Sequence, residues 1–365
     1  MNLEWKETEL DQTEALLNEI TEAPGVPGYE GEVRAVIRRH LEGITTIEQD
    51  KMGSIICKKA GLADSPKVML AGHMDEIGFM VKLITKEGFI KFVPLGGWWD
   101  QVMLAQRVVI KTTQGDIFGV TGAKPPHILP PEEQKKMVQK KDMYIDIGAT
   151  SEEEVKERGV RPGDPIIPVS DFAILANPRT YMAKAWDDRV GCALFVQTIQ
   201  RLAEERHPNT VYGVGTVQEE VGLRGAKTSA HIISPDVAII LEVDIAADVP
   251  KIEPEESAIK MGKGPTLLVY DARMIPNLKL RDLVIETARE LDIPLQFSAM
   301  EGGATDGGMI HIHAEGVPAV VIGVPTRHIH SHVGILHRDD YDRALKLIVA
   351  LVKKLDQTTV QGLAV

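Results

Sequence analysis

Cysteine is scarce in this chain: Cys57 and Cys192 are the only two in 365 residues. Two thiols cannot build the disulfide framework of a small secreted domain, so both are expected to be reduced and buried. No apolar run approaches the ~20 residues that span a bilayer. The opening stretch MNLEWKETELDQ is charged and lacks the apolar core of a secretory signal. Basic residues are outnumbered, 41 against 53 acidic, for a formal net charge of −12. That balance gives a nucleic-acid partner little support. What is present is ordinary globular material, 44% hydrophobic and 26% charged. At ~100–200 residues per domain, the length implies two domains or one enlarged α/β domain. A cytoplasmic, acidic enzyme with no membrane or nucleic-acid partner is the expectation.

The apolar pattern alternates between helix and strand periods. Leu10, Leu17 and Ile20 mark one helix face, the turn-rich segment Ala23 to Gly28 follows, and Val33, Ile37 and Leu41 mark a second. Short apolar runs at 67–71, 211–217, 237–243 and 318–324 read as buried strands. Helical patterns lie between several of them, one with Phe195, Ile199 and Leu202, another with Leu345, Ile348, Val352 and Leu355. Strands alternating with helices predict an α/β fold with a mostly parallel sheet covered on both faces. Residues 77–167 break that rhythm. Short β-like runs at 88–93, 107–112 and 144–147, punctuated by Gly and Pro, predict a β-rich domain inserted into the first. The polar run 130–141 reads as a long exposed loop.

Five clusters of metal-type ligands adjoin these strands. In GHMDEIG, His73 and Asp75 project to one side of an extended segment, so one can bind a metal while the other holds the second ring nitrogen. Alone, that pair is more often a hydrogen-bonded histidine at a strand end. In AWDDRVG, Asp187 and Asp188 precede a helix and could simply stabilise its N-terminus. In VQEEVG, Glu219 and Glu220 end an apolar run, a costly place for two acids unless they are solvated or bound. In LEVD, Glu242 and Asp244 interrupt a central strand and need a partner. Finally TRHIHSHVGILH places His328, His330, His332 and His337 within ten residues, four of the 11 in the chain. Strand alternation would put the first three on one side. Histidine with carboxylate suits zinc, cobalt or manganese. Five such clusters at strand ends are hard to dismiss, because α/β sheets place their sites there.

In order and wording, GHMDEIGFM, AWDDRVGCA, VQEEVGLRGA, LEVD, GGATDGG and RHIHS resemble the cocatalytic metallo-aminopeptidases of the tetrahedral and glutamyl aminopeptidase family. The likeness covers essentially the whole chain, and members have also been labelled endoglucanases. It implies a zinc-peptidase-like α/β/α sandwich formed by residues 1–76 and 168–365, with 77–167 as a barrel-like dimerisation domain. It also implies two divalent ions per subunit, zinc or cobalt foremost and manganese as an alternative. His73 and Asp244 would hold one ion, Glu220 and His330 the other, and Asp187 would bridge them. Glu219 matches the general base and Asp75 the residue behind His73. Gly302, Gly303, Thr305 and Asp306 would shape the substrate wall, although an ordinary Gly-rich turn explains them equally well. Peptides are the implied substrates, cleaved from the N-terminus, with dimers assembling into a tetrahedral dodecamer. The alternatives are a glycoside hydrolase working with two carboxylates, or a peptide-binding protein without catalysis.

Overall fold

Alternate residues of the strand Lys67–His73 face opposite ways: Val68 and Leu70 join one hydrophobic layer, Met69 and Ala71 the other. A strand apolar on both faces must be covered on both. The computed structural model describes residues 9–364 and shows that cover; residues 1–8 and 365, which the expected catalytic domain includes, lie outside them. One layer includes the helices Gln12–Glu22, Gly31–Leu41, Trp186–Ala203, Leu278–Glu290 and Arg338–Lys354. Arg224–Ile233 and Gly307–Ile310 pack on the other face. The first helix starts after Leu10, with Asp11 and Glu14 forming a reciprocal cap at its N-terminus.

Four parallel strands form the middle of the sheet, in the order Thr210–Thr216, Lys67–His73, Val237–Ile245, Ala319–Arg327. Their carboxyl ends lie side by side. Thr216 pairs with His73 and Glu242 with Gly323, while the pairing Ile240 with Ala71 puts Glu242 level with His73. Antiparallel strands extend the sheet on both sides, and Thr266–Asp271 with Gln296–Met300 runs off beside Ala319–Arg327. The expected α/β/α sandwich is therefore present, its sheet parallel at the centre and mixed as a whole where a mostly parallel one was expected.

Between Gly78 and Pro168 six strands close a barrel, ordered Gly78–Ile84, Ile90–Leu95, Tyr144–Asp146, Gly115–Gly122, Arg107–Thr112, Pro165–Pro168. It has its own core around Phe79, Trp98 and Ile166. The strand Gly115–Gly122 escapes the sequence pattern because glycines interrupt its alternation. The exposed run 130–141 is not a bare loop: it holds a helical turn at Pro131–Gln134 and a 3-10 turn from Lys140. Both cysteines are buried and free. Among the described residues, no helix is long and apolar enough to cross a membrane.

Candidate active site

His73 ends its strand with Nδ1 2.8 Å from the carbonyl of Asp75. A carbonyl only accepts, so Nδ1 carries the proton and Nε2 is turned into the cleft. His330 repeats the arrangement. Its Nδ1 lies 2.6 Å from the carbonyl of Gly97, again leaving Nε2 to face inward. Between the two rings stands Asp187, Oδ1 3.0 Å from His73 Nε2 and Oδ2 3.3 Å from His330 Nε2. Each ring already donates at Nδ1, so Nε2 and a carboxylate oxygen can sit this close only with a cation between them, a proton or a metal. One carboxylate thus offers an oxygen to each of two cation positions.

Three further acids surround that axis. Glu220 Oε1 is 3.9 Å from His330 Nε2, Glu219 Oε2 is 3.8 Å from His73 Nε2, and Glu242 Oε1 is 3.6 Å from the same nitrogen. Donor atoms of His73, Asp187 and Glu220 cluster closely enough to share an ion, as do those of His73, Asp188 and Glu242. Glu220 Oε1 is buried with no hydrogen-bond partner. An orphaned buried carboxylate oxygen among imidazoles fits a divalent ion, because such an atom is otherwise costly.

The assignment of Asp244 as a ligand needs correction. Asp244 joins neither group of donors. Both acids of the LEVD segment project from one side of the strand, but Glu242 reaches toward His73 on the adjacent strand. Asp244 leans the other way, over Gly323 toward Thr266 and Ser298, and accepts the N–H of Ile245 at 2.8 Å. Alternation identifies the shared face; only register identifies which acid is level with His73. Asp75 stands behind His73. Its carbonyl accepts from His73 Nδ1 at 2.8 Å with the carboxylate 3.7 Å from the same nitrogen, and that carboxylate also accepts the backbone N–H groups of Glu219 and Glu220 at 3.0 and 3.1 Å. Asp188 accepts the N–H of Gly191 as a helix cap would, and with its other oxygen the N–H of His73.

The histidine-rich segment is not an extended strand. The strand ends at Arg327, and His328 and His330 have φ of 62° and 54°. That left-handed backbone swings His330 onto Asp187, leaves His328 exposed, and packs the buried His332 beside Trp98. Of the expected substrate wall, Gly303 and Thr305 line the cleft. Gly302 does not, and Asp306 is buried, taking a 2.5 Å hydrogen bond from Thr216. The cleft encloses about 290 Å³. Arg273, Leu268 and Met300 complete much of its wall, residues that no metal-ligand pattern could flag.

Burial dominates the titration of the site. It raises Glu219 well above the usual carboxylate range, His73 opposing and Asp306 and Glu220 reinforcing the shift. Glu220 is pushed up to about 8 by burial, with Asp187 adding to it. For His330 burial works against the charged ring, but Asp187 and Glu220 outweigh it and raise the group to about 10. A bound divalent ion would reverse the sign for the acids, holding them ionised.

Imidazoles and carboxylates gathered at the carboxyl ends of a parallel sheet define a hydrolase of the metallopeptidase class. Comparison with known proteins agrees: the family model described as M42 glutamyl aminopeptidase matches residues 53–347, and the chain belongs to that family. It is therefore a peptidase. A TET aminopeptidase structure from the marine sediment archaeon Thaumarchaeota archaeon SCGC AB-539-E09 is 52% identical, with a TM-score of 0.95 over 97% of this chain and 99% of that one. The lysyl aminopeptidase of Pyrococcus furiosus is 35% identical over 93% of this chain and 96% of its own. The glutamyl aminopeptidase of Lactococcus lactis is also 35% identical, over 92% and 95%. The TET1 peptidase of Pyrococcus horikoshii, described as assembling into a tetrahedron or a large octahedral shell, is 31% identical with a TM-score of 0.85, covering 94% of this chain and all of that one. A structure named endoglucanase, from Thermotoga maritima, is likewise 31% identical with a TM-score of 0.77, over 95% and 100%.

Proposed function

We propose that this chain is a dinuclear metal-dependent aminopeptidase, in which His73 and Glu242 would hold one ion, Glu220 and His330 the other, with Asp187 shared between them. The observation that carries this reading is Asp187 itself, one oxygen toward each imidazole at 3.0 and 3.3 Å. Zinc, cobalt or manganese suits such a set of nitrogen and oxygen donors. Bound there, the ions would acidify a water and polarise the scissile carbonyl.

The remaining work falls to the chain's own groups. Glu219 stands beside His73 at the cleft, held in place by the bond from its backbone N–H to Asp75. As general base, it takes a proton from the attacking water at a carboxylate oxygen and passes that proton to the leaving amine. Its partly buried position keeps the proton from escaping to solvent between the two transfers. Asp75 positions both Glu219 and Glu220 through their backbone, so base and ligand are fixed by one carboxylate. A glycoside hydrolase would need two carboxylates and leaves the paired imidazoles on Asp187 without a purpose. A binding protein would have no need of Glu219.

Replacing Glu219 by Gln removes the proton acceptor and keeps the shape. Peptide hydrolysis should fall on the order of 10²–10⁴-fold in kcat, while bound metal stays at the wild-type level. Full hydrolysis by Glu219→Gln would refute Glu219 as the base.

The barrel is the proposed dimerisation domain. Phe118 and Ile128 expose 69% and 67% of their surface there, and Trp99 exposes 59%. Large apolar residues open to water on one small domain support an assembly face, and a tetrahedral shell built from dimers is the proposed assembly.

A further inference from the structure

The structure leaves Asp244 without a metal role and without an adequate partner. It is 8% exposed, and its Oδ2 is buried with no hydrogen bond. The hydroxyl of Thr266, itself 1% exposed, lies beside that carboxylate without a well-formed hydrogen bond. Both residues line the active-site cleft, and Ser298, 7% exposed, brings a second hydroxyl toward the same carboxylate. Gly323 makes the arrangement possible. A Cβ at that position would lie 2.4 Å from Thr266 Oγ1 and 3.1 Å from the Asp244 Cβ. Its absence lets the carboxylate cross the intervening strand.

Unpaired buried polar atoms facing a cleft are expensive unless a ligand completes them. One carboxylate with two hydroxyls supplies acceptors and a negative charge, and so matches a group with several N–H donors and a positive charge. The adjoining wall is apolar, formed by Leu268, Met300 and Val321, and suits an aliphatic stem. The cleft's rim carries Arg273, but its charge is solvated, more than a third of the residue being exposed. Asp244 is the buried charge on that side of the cleft, and buried charges discriminate more strongly than rim charges.

We infer that Asp244, Thr266 and Ser298 form the pocket that reads the side chain of the substrate's first residue, and that it selects a basic one, lysine or arginine. This rests on the aminopeptidase reading above, and it assigns to a side-chain pocket an acid that the family resemblance had given to the metal. The two relatives named lysyl and glutamyl aminopeptidase are equally identical to this chain, so identity alone gives no preference.

The test uses the full-length, metal-loaded enzyme and the p-nitroanilides of lysine, norleucine and glutamate. Norleucine keeps the four-carbon stem and carries hydrogen in place of the ε-ammonium. A site built for a charged hydrogen-bond donor should favour lysyl over norleucyl in kcat/KM by at least about tenfold, with glutamyl turned over least. Asp244→Asn should reduce the lysyl-to-norleucyl ratio by about 10–100-fold. The wild-type comparison decides the matter even where that variant fails to fold. Norleucyl equal to or better than lysyl, glutamyl preferred to both, or an unchanged ratio in folded Asp244→Asn would overturn the pocket while leaving the aminopeptidase intact. No turnover of any of the three would overturn the aminopeptidase reading, and the pocket with it.

Discussion

Asp187 concentrates the chemistry of the site in one side chain. Its two oxygens face two imidazoles whose other nitrogens are already committed to carbonyls. Around it, metal-free Glu219, Glu220 and Glu242 hold protons that the unfolded chain would release, and His330 holds one that the unfolded chain would lose above its ordinary range. The sign follows for both kinds of group. A folded-state value raised above the unfolded one means that the folded chain binds more protons in between, so stability falls as pH rises through that interval. For Glu220 the interval runs from the ordinary 4.5 to about 8, and for His330 from 6.5 to about 10. Metal-stripped protein should therefore melt lower at pH 8 than at pH 6, by on the order of 5 °C. Added divalent metal should narrow that gap, because the ions bind the folded acids in their ionised form. Calorimetry of the stripped protein at both pH values checks this; a melting point that rises with pH contradicts it. Most site residues were legible in the sequence because imidazoles and carboxylates are rarely found together at apolar strand ends. Glu242 was present in that pattern, but the family resemblance gave the ligand role to Asp244, and two residues apart on a strand share a face. The choice depends on the pairing of Ile240 with Ala71, which no local spacing contains.

Among the elements, the helix Trp186–Ala203 links the site to the chain's beginning. Arg189, 0% exposed, donates to the carbonyls of Met74, Ile20, Ala23 and Gly25 at 2.6–3.1 Å. It also lies 3.2 Å from Glu76, which Lys184 meets at 2.6 Å. One guanidinium thereby ties the end of the first helix to the residue following His73. Arg189→Met preserves much of the bulk but strands those carbonyls, and should cost about 3–5 kcal/mol of stability. A lower urea midpoint with an unchanged m-value is the expected result; a loss below about 1 kcal/mol would show the clamp to be unimportant. The central strands and long helices were readable because their apolar periods are strong, as in Val33, Ile37 and Leu41, all fully buried. The histidine segment misled because alternation holds only while the backbone is extended, and left-handed residues at 328 and 330 end it. The strand Gly115–Gly122 was lost for a related reason: a barrel strand that is largely exposed and rich in glycine has little apolar pattern to show.

At the scale of the whole molecule, the sandwich supplies a rigid row of strand ends and the barrel supplies one wall contact, the carbonyl of Gly97 on His330. A domain that both supports a proposed ligand and exposes large apolar side chains would couple the proposed assembly to the site. The protein should run in light scattering as a dodecamer of 40.1 kDa chains, and replacing Phe118 and Ile128 by polar residues should shift it toward smaller species. A monomer at micromolar concentration would remove the assembly proposal. The acidic excess of the chain also takes on a divided meaning: acids such as Asp11, Glu19 and Asp339 cap helices or pair with arginine, while Asp187, Glu219, Glu220 and Glu242 meet one another in a cleft. Metal content per chain, measured by mass spectrometry on wild type, Glu242→Gln and Asp244→Asn, tests the central claim most directly. Two ions in wild type, one in Glu242→Gln and two in Asp244→Asn is the predicted result. At most one ion in wild type, or a loss in Asp244→Asn with both ions kept in Glu242→Gln, would contradict it.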